Sequence, residues 1–263
     1  MMSTFRRYPG TPFNWRGVVT PAIKSLIIAC TGVFLLQTLA SLIGGEVAAR
    51  WIVEQFGLIP NAAIFGLKFW QPFTYMFLHG GLLHLLLNML MLWMFGCDIE
   101  RAWGRQRFLT YYLLTGVGAG LCVMAVNLLP LAFGRPALAG AHGATIGASG
   151  AIFGVLLAAA MLFPDRQVWL IPFPVMLPMR VFVMIMGAIE FFSSLDSSGS
   201  NVSHLAHLGG MGVGYLYLRR GSFFFGMRNQ MTDWKQRRLR KKFEVYSREH
   251  KDEPPSHPDR WVH

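Results

Sequence analysis

The sequence predicts an all-α membrane protein with several spans, and two observations carry that prediction. Hydrophobic residues make up 53% of the chain and charged residues only 14%, against about a quarter charged in a soluble globular chain. Apolar stretches long enough to cross about 30 Å of hydrocarbon, which takes roughly 20 helical residues, recur six times.

Span one is expected from about Pro21 to Ile43, after a basic arm over residues 1–20 holding Arg6, Arg7 and Arg16. That arm has no apolar run, so no cleavable signal peptide is expected. From Gly44 to Phe77 charged Glu46, Arg50, Glu54 and Lys68 mix with Trp51, Phe56, Phe65, Phe69 and Trp70, a composition suited to an outer loop lying in the membrane interface. Span two follows from about Leu78 to Cys97 and span three from Phe108 to Leu128. A Gly/Ala/Pro-rich loop, Leu129 to Ala148, leads into span four, Ser149 to Phe163. Span five is expected from Leu177 to Leu195, and span six follows the Ser/Gly-rich loop Asp196 to Ser203 and ends before Arg219-Arg220.

Charge sets the orientation. In this arrangement only Arg50, Lys68 and Arg135 of the 24 Lys and Arg lie outside, so both termini are cytoplasmic. The expected organisation is a cytoplasmic arm (1–20), a six-helix domain (21–218) and a basic tail (219–263). In the tail, Arg237-Arg238-Leu239-Arg240-Lys241-Lys242 suits anionic inner-leaflet lipid better than nucleic acid, directly after a span. Leu239, Phe243 and Tyr246 share one face of a helix lying on the membrane, and Pro254-Pro255 and Pro258 mark a disordered end. Cys30, Cys97 and Cys122 are odd in number and scattered through apolar segments, which points to buried free thiols.

Span four is short. About fifteen residues give roughly 22 Å of helix against about 30 Å of hydrocarbon, so Ser149 begins its helix below the outer surface and the preceding loop dips in with it. Such backbone is tolerated only when packed in protein or lining a water-filled cavity. The same ruler puts His84 roughly 20 Å, His207 roughly 17 Å and Asn88 roughly 14 Å above the cytoplasmic ends of their spans. Polar groups on three parallel helices thus reach similar depth, each at a cost in lipid.

A serine hydroxyl touches an imidazole only if two helices approach more closely than the usual 8 to 10 Å. Gly150-x-x-x-Gly154 follows Ser149 and Gly210-x-x-x-Gly214 follows His207, giving both helices a small-residue face. Either motif alone also reads as ordinary helix packing. Together they suggest a nucleophile, Ser149, and its base, His207. Gly147 and Ala148 leave Ser149 open to an extended substrate backbone. His84, Asn88 and the Ser149 N–H are expected to donate to an oxyanion, although a His/Asn pair also serves to join helices.

At these residues the sequence resembles the rhomboid family of intramembrane serine proteases. The resemblance rests on His79-x4-His84-x3-Asn88, Gly96-x3-Glu100-x3-Gly104, Gly147-Ala148-Ser149-Gly150 and Ala206-His207-x2-Gly210-x3-Gly214, in order, and covers about residues 20 to 218. It implies a six-helix rhomboid-like bundle and a Ser149–His207 dyad with no third acidic member. His84 and Asn88 match oxyanion-hole positions, and Phe153 matches an aromatic site, often tyrosine, that packs on the catalytic imidazole. Trp70-Gln71 stands where many members have Trp-Arg, which bears on how the first outer loop is anchored. The implied activity is cleavage of transmembrane segments of other membrane proteins near their outer end, in a multi-pass protein of the bacterial inner membrane. The alternative is a non-proteolytic rhomboid-like protein that binds membrane clients; such proteins usually lack the serine or the histidine. A small transporter would show inverted repeats, which are not seen.

The remaining polar residues are given lesser parts. Glu190, about five residues from the outer end of span five, is expected to reach interfacial or cavity water. His204 and His207 have an i, i+3 spacing that invites a metal, but no H-E-x-x-H accompanies them and no nearby carboxylate is evident, so neither metal nor cofactor is expected. His79 is assigned structural hydrogen bonds, Asp196 to Ser203 a mobile lid or a plain connection, and Asn201-Val202-Ser203 a sequon relevant only in a eukaryotic secretory pathway.

Overall fold

The computed structural model describes residues 19–132, 143–170, 175–195 and 203–219. The chain divides into two units, Met1–Leu218 and Arg219–His263. The first is mostly helical. The basic tail, with its lipid-binding and amphipathic expectations, lies outside the described residues apart from Arg219, as do residues 1–18 of the N-terminal arm, Arg135, and 196–202 of the expected lid and sequon.

Helix α1 is Pro21–Phe56, broken at Gly45, whose φ of 63° and ψ of −154° are far from helical. Glycine takes positive φ without a side-chain penalty. The break falls two residues after Ile43, the expected end of span one. The segment expected as an outer loop continues α1 to Phe56 and then folds into α2 (Pro60–Ile64), α3 (Gln71–Thr74) and a 3₁₀ turn at Tyr75–Phe77. Helix α4 is Leu82–Trp103, later at both ends than expected. Gly81, extended at φ 172°, delays its start, and it runs on through Asp98 to Arg101 until Gly104 turns at φ 81°.

Helix α5 is Arg105–Ala132, α6 is Ser149–Leu162 and α7 is Met179–Ser194. A final helix, α8, covers 203–219. The connection before α7 holds a feature not expected from sequence, an antiparallel hairpin of β1 (Gln167–Leu170) and β2 (Val175–Pro178) with Gln167 opposite Pro178. Its four-residue strands are too short to show a clear alternation.

Among the described residues three helices are long and apolar enough to cross a membrane, Pro21–Phe56, Leu82–Trp103 and Arg105–Leu128; Ser149–Leu162 is apolar but shorter. Leu35, Leu36, Leu39, Leu42 and Ile43 on α1 and Leu82, Leu83, Leu86, Leu87 and Leu90 on α4 point outward. Apolar stripes of that extent suit acyl chains, not water. Helix α6 is the inverse case, apolar all round and buried along nearly its whole length, as a central helix must be. Cys30 and Cys97 are buried free thiols, whereas Cys122 is only half-buried.

One buried carboxylate ties α4 to α1. Thr20 at the α1 N-cap makes no side-chain cap; Glu100 supplies it from α4, accepting hydrogen bonds from Ala22 N (2.9 Å), Ile23 N (3.2 Å) and the Thr20 hydroxyl. Negative charge at a helix N-terminus is favoured by the free N–H groups and the macrodipole. Close by, Asp98 accepts from Arg101 and from Arg166, fastening the chain after α6 to the same end of α4. Glu100→Ala should destabilise the fold by about 2 to 3 kcal/mol because several buried donors lose their acceptor, read as a lower thermal midpoint in detergent.

Candidate active site

The loop entering α6 is held by its backbone. Thr145 and Leu58 exchange two hydrogen bonds of 2.9 Å, tying it to the first outer loop, and Gly147 N donates to Tyr75 O at 2.9 Å. Gly147 has φ 123°, a conformation that side-chain-bearing residues rarely adopt. Ala148 at the N-cap has no side-chain oxygen to offer the first turn of α6. Ser149 therefore begins the helix beside N–H groups that its N-cap residue leaves uncapped.

Helix α8 brings His207 to Ser149, with Nε2 2.7 Å from Oγ. The contact follows from backbone proximity: a Cβ on Gly210 would lie 1.9 Å from the carbonyl oxygen of Gly150. A Cβ on Gly154 would fall 2.6 to 2.8 Å from the Thr115 side chain of α5, and one on Gly214 would fall 2.5 Å from the Tyr111 hydroxyl. That hydroxyl donates to Gly154 O at 2.7 Å, so α5 braces both glycine-bearing helices. Phe153, one turn along α6, stacks on the His207 ring with centroids 4.3 Å apart and planes 12° from parallel.

His84 approaches from α4. Its Cε1 and Nε2 lie 2.8 Å from the place a Cβ on Gly147 would occupy, and Ser149 Oγ lies 3.8 Å from that place. Gly147 thus lets imidazole and hydroxyl face a common space. Gly80 N donates to His84 Nδ1 at 3.4 Å, which favours the tautomer protonated at Nε2 and gives that face a donor. Asn88 is buried one turn on, its Nδ2 donating to the His84 carbonyl at 3.0 Å, a bond that uses one of its two amide hydrogens. His79 is buried edge-on to the His84 ring, with centroids 5.2 Å apart, while its N–H donates to Gln37 Oε1 of α1.

One sequence reading needs correction. Glu190 does not turn toward interfacial water: it is 8% exposed, and its Oε2 lies 2.6 Å from His204 Nδ1 and 2.9 Å from His207 Nδ1. The short distance to His207 is an electrostatic contact without hydrogen-bond alignment, since Nδ1 of that ring has no aligned partner. A carboxylate does therefore stand beside the two histidines. The facing donor atoms of the three residues fall within 4.8 Å of one another. The sequence held one signal, a carboxylate within an apolar span, but not which face of α7 it occupies.

Gln71 bears on how the segment after α1 is anchored. It is fully buried, accepts from Ile59 N at 3.0 Å through Oε1 and donates to Glu54 O at 2.9 Å through Nε2. Trp70 Nε1 adds a bond to Gln55 O at 2.8 Å. The amide anchors the loop through main-chain partners.

Fold and site define a class: a helical integral membrane protein with a serine–imidazole contact between two close-packed helices. The rhomboid domain matches residues 66–222. Similar curated proteins are the mitochondrial Rhomboid protein 1 of Saccharomyces cerevisiae, 32% identical over 54% of this chain and 38% of its own, and Rhomboid protease GluP of Bacillus subtilis, 29% identical over 74% of this chain and 34% of its own. RHOMBOID-like protein 1 of Arabidopsis thaliana is 31% identical over 70% and 42%. The chain belongs to the rhomboid family; it spans well under half the length of these relatives.

Gly210→Ala should lower the thermal midpoint by an amount equivalent to about 3 kcal/mol, since the new methyl meets backbone. Gly212→Ala, with nothing within 4 Å, should leave it unchanged or raise it by up to about 1 kcal/mol. The pair separates helix contact from helix propensity.

Proposed function

We propose that this protein is an intramembrane serine endopeptidase that cuts transmembrane segments of other membrane proteins near their outer ends. The observation that carries the reading is the 2.7 Å approach of His207 Nε2 to Ser149 Oγ. The rhomboid match and the printed name of the Bacillus subtilis relative, a rhomboid protease, support the class.

In this reading α1, α4, α5, α6, α7 and α8 each cross the bilayer, with both termini cytoplasmic and the α6 N-terminus toward the outer side. The charge distribution supports that orientation, and we place the protein in a bacterial inner membrane, with the basic tail on anionic inner-leaflet lipid. Residues 21–218 form the protease domain.

Ser149 Oγ attacks the scissile carbonyl carbon while His207 Nε2 takes its proton; His207 returns that proton to the departing amine as the C–N bond breaks, and water then hydrolyses the acyl-enzyme. The tetrahedral oxyanion accepts hydrogen bonds from the Ser149 N–H, from His84 Nε2 and from Asn88. Gly147 and Ala148 admit the substrate backbone, and Phe153 fixes the His207 ring plane. A helical substrate must unwind locally first, because its carbonyls are otherwise engaged.

Purified protein should react with a fluorophosphonate probe and cleave a model transmembrane substrate. Ser149→Ala and His207→Ala should do neither. Identical behaviour of wild type and Ser149→Ala would rule out proteolysis and favour the client-binding alternative. Asn88→Ala should lose roughly tenfold in rate, less than removal of a sole oxyanion donor, because the backbone donor remains.

A further inference from the structure

Resting on that reading, we propose that Glu190 is a third member of the catalytic group, a positioning residue that holds His207 with its proton on Nδ1 and Nε2 free to accept from Ser149. Four observations meet here. Oε2 of Glu190 lies 2.9 Å from His207 Nδ1. The opposite ring nitrogen is the one engaged with Ser149. The carboxylate is buried, where an unpartnered charge is costly. Among the described residues its ion-pair contacts are His207 and His204, and His204 Nδ1 approaches the same oxygen at 2.6 Å.

The stacking of Phe153 fixes the plane of the His207 ring, but a ring can still flip within its plane or carry its proton on the wrong nitrogen. A carboxylate at Nδ1 decides both. His204 holds that carboxylate from the next turn of α8, so Glu190 is gripped on one side and presented on the other. The groups that face His207 are Glu190 from α7, Ser149 from α6, His84 from α4, near enough to interact electrostatically, and His204 on its own helix. During attack the Ser149 proton moves to His207 Nε2 as the Oγ–carbon bond forms. Glu190 takes no proton in that step. Its negative charge stabilises the imidazolium, and the 2.9 Å contact becomes an aligned hydrogen bond as the substrate settles.

The test measures kcat and KM for a transmembrane model substrate, and fluorophosphonate labelling, in wild type, Ser149→Ala, Glu190→Gln and Glu190→Asp. Glu190→Gln should lower kcat roughly 10- to 100-fold with KM unchanged, a split that a merely structural role would not give. Glu190→Asp, which keeps the charge, should recover much of the loss. An active wild type with an equally active Glu190→Gln overturns this inference and leaves the protease reading intact; an inactive wild type overturns both. Loss of wild-type activity to a chelator, restored by a divalent cation, also overturns it, because the carboxylate would then serve a metal. A further measurement needs no substitution at 190: in protein with 15N-labelled histidine, the His207 proton should reside on Nδ1 with a strongly downfield resonance, and a proton on Nε2 instead is contrary to the inference.

Discussion

The structure depends on one steric constraint: at the crossing of α6 and α8 there is room for hydrogen on Gly210 but not for carbon, because the Gly150 carbonyl stands there. Ser149 precedes one of these glycines by one residue and His207 precedes the other by three. Fixing the crossing therefore fixes the distance between hydroxyl and imidazole. Apolar attraction does not drive helices together in lipid as it does in water, so such contacts rest on close packing and interhelical hydrogen bonds. Tyr111 supplies both, filling the space beside Gly214 while donating to the Gly154 carbonyl.

Three buried side chains answer a second constraint, that a polar group is costly without a partner where water is scarce. Glu100 meets the open N-terminus of α1, Gln71 meets backbone in the outer loop, and Glu190 meets two imidazoles. Each joins separate elements of the fold. The same groups that would be costly alone in lipid become the joints of the bundle.

Much of this was legible in the chain. The short span four matched α6, which begins at Ser149, and the paired glycine motifs marked the two helices that approach; both depend on local spacing, which sequence records directly. The kink at Gly45 fell within two residues of the expected end of span one. What escaped was information about rotation and about distant partners. Whether Glu190 faces lipid or His207 depends on how α7 is turned about its axis, and α7 is apolar on most faces. The C-terminal end of α4 was misplaced because Glu100 and Asp98 look like a solvated terminus until their partners at Thr20 and Arg166 are known. The hairpin between α6 and α7 was too short for any periodicity to reveal.

The attachment of Gln71 has an operational consequence. A guanidinium clasped by carboxylates would weaken as salt rises or as acid neutralises its counter-ions. A carboxamide bound to peptide groups neither ionises nor attracts a Debye cloud, so the grip of this buried side chain is indifferent to both. The segment it secures, from Glu54 to Ile59, therefore keeps this anchor through changes in acidity and electrolyte that would loosen an ion pair.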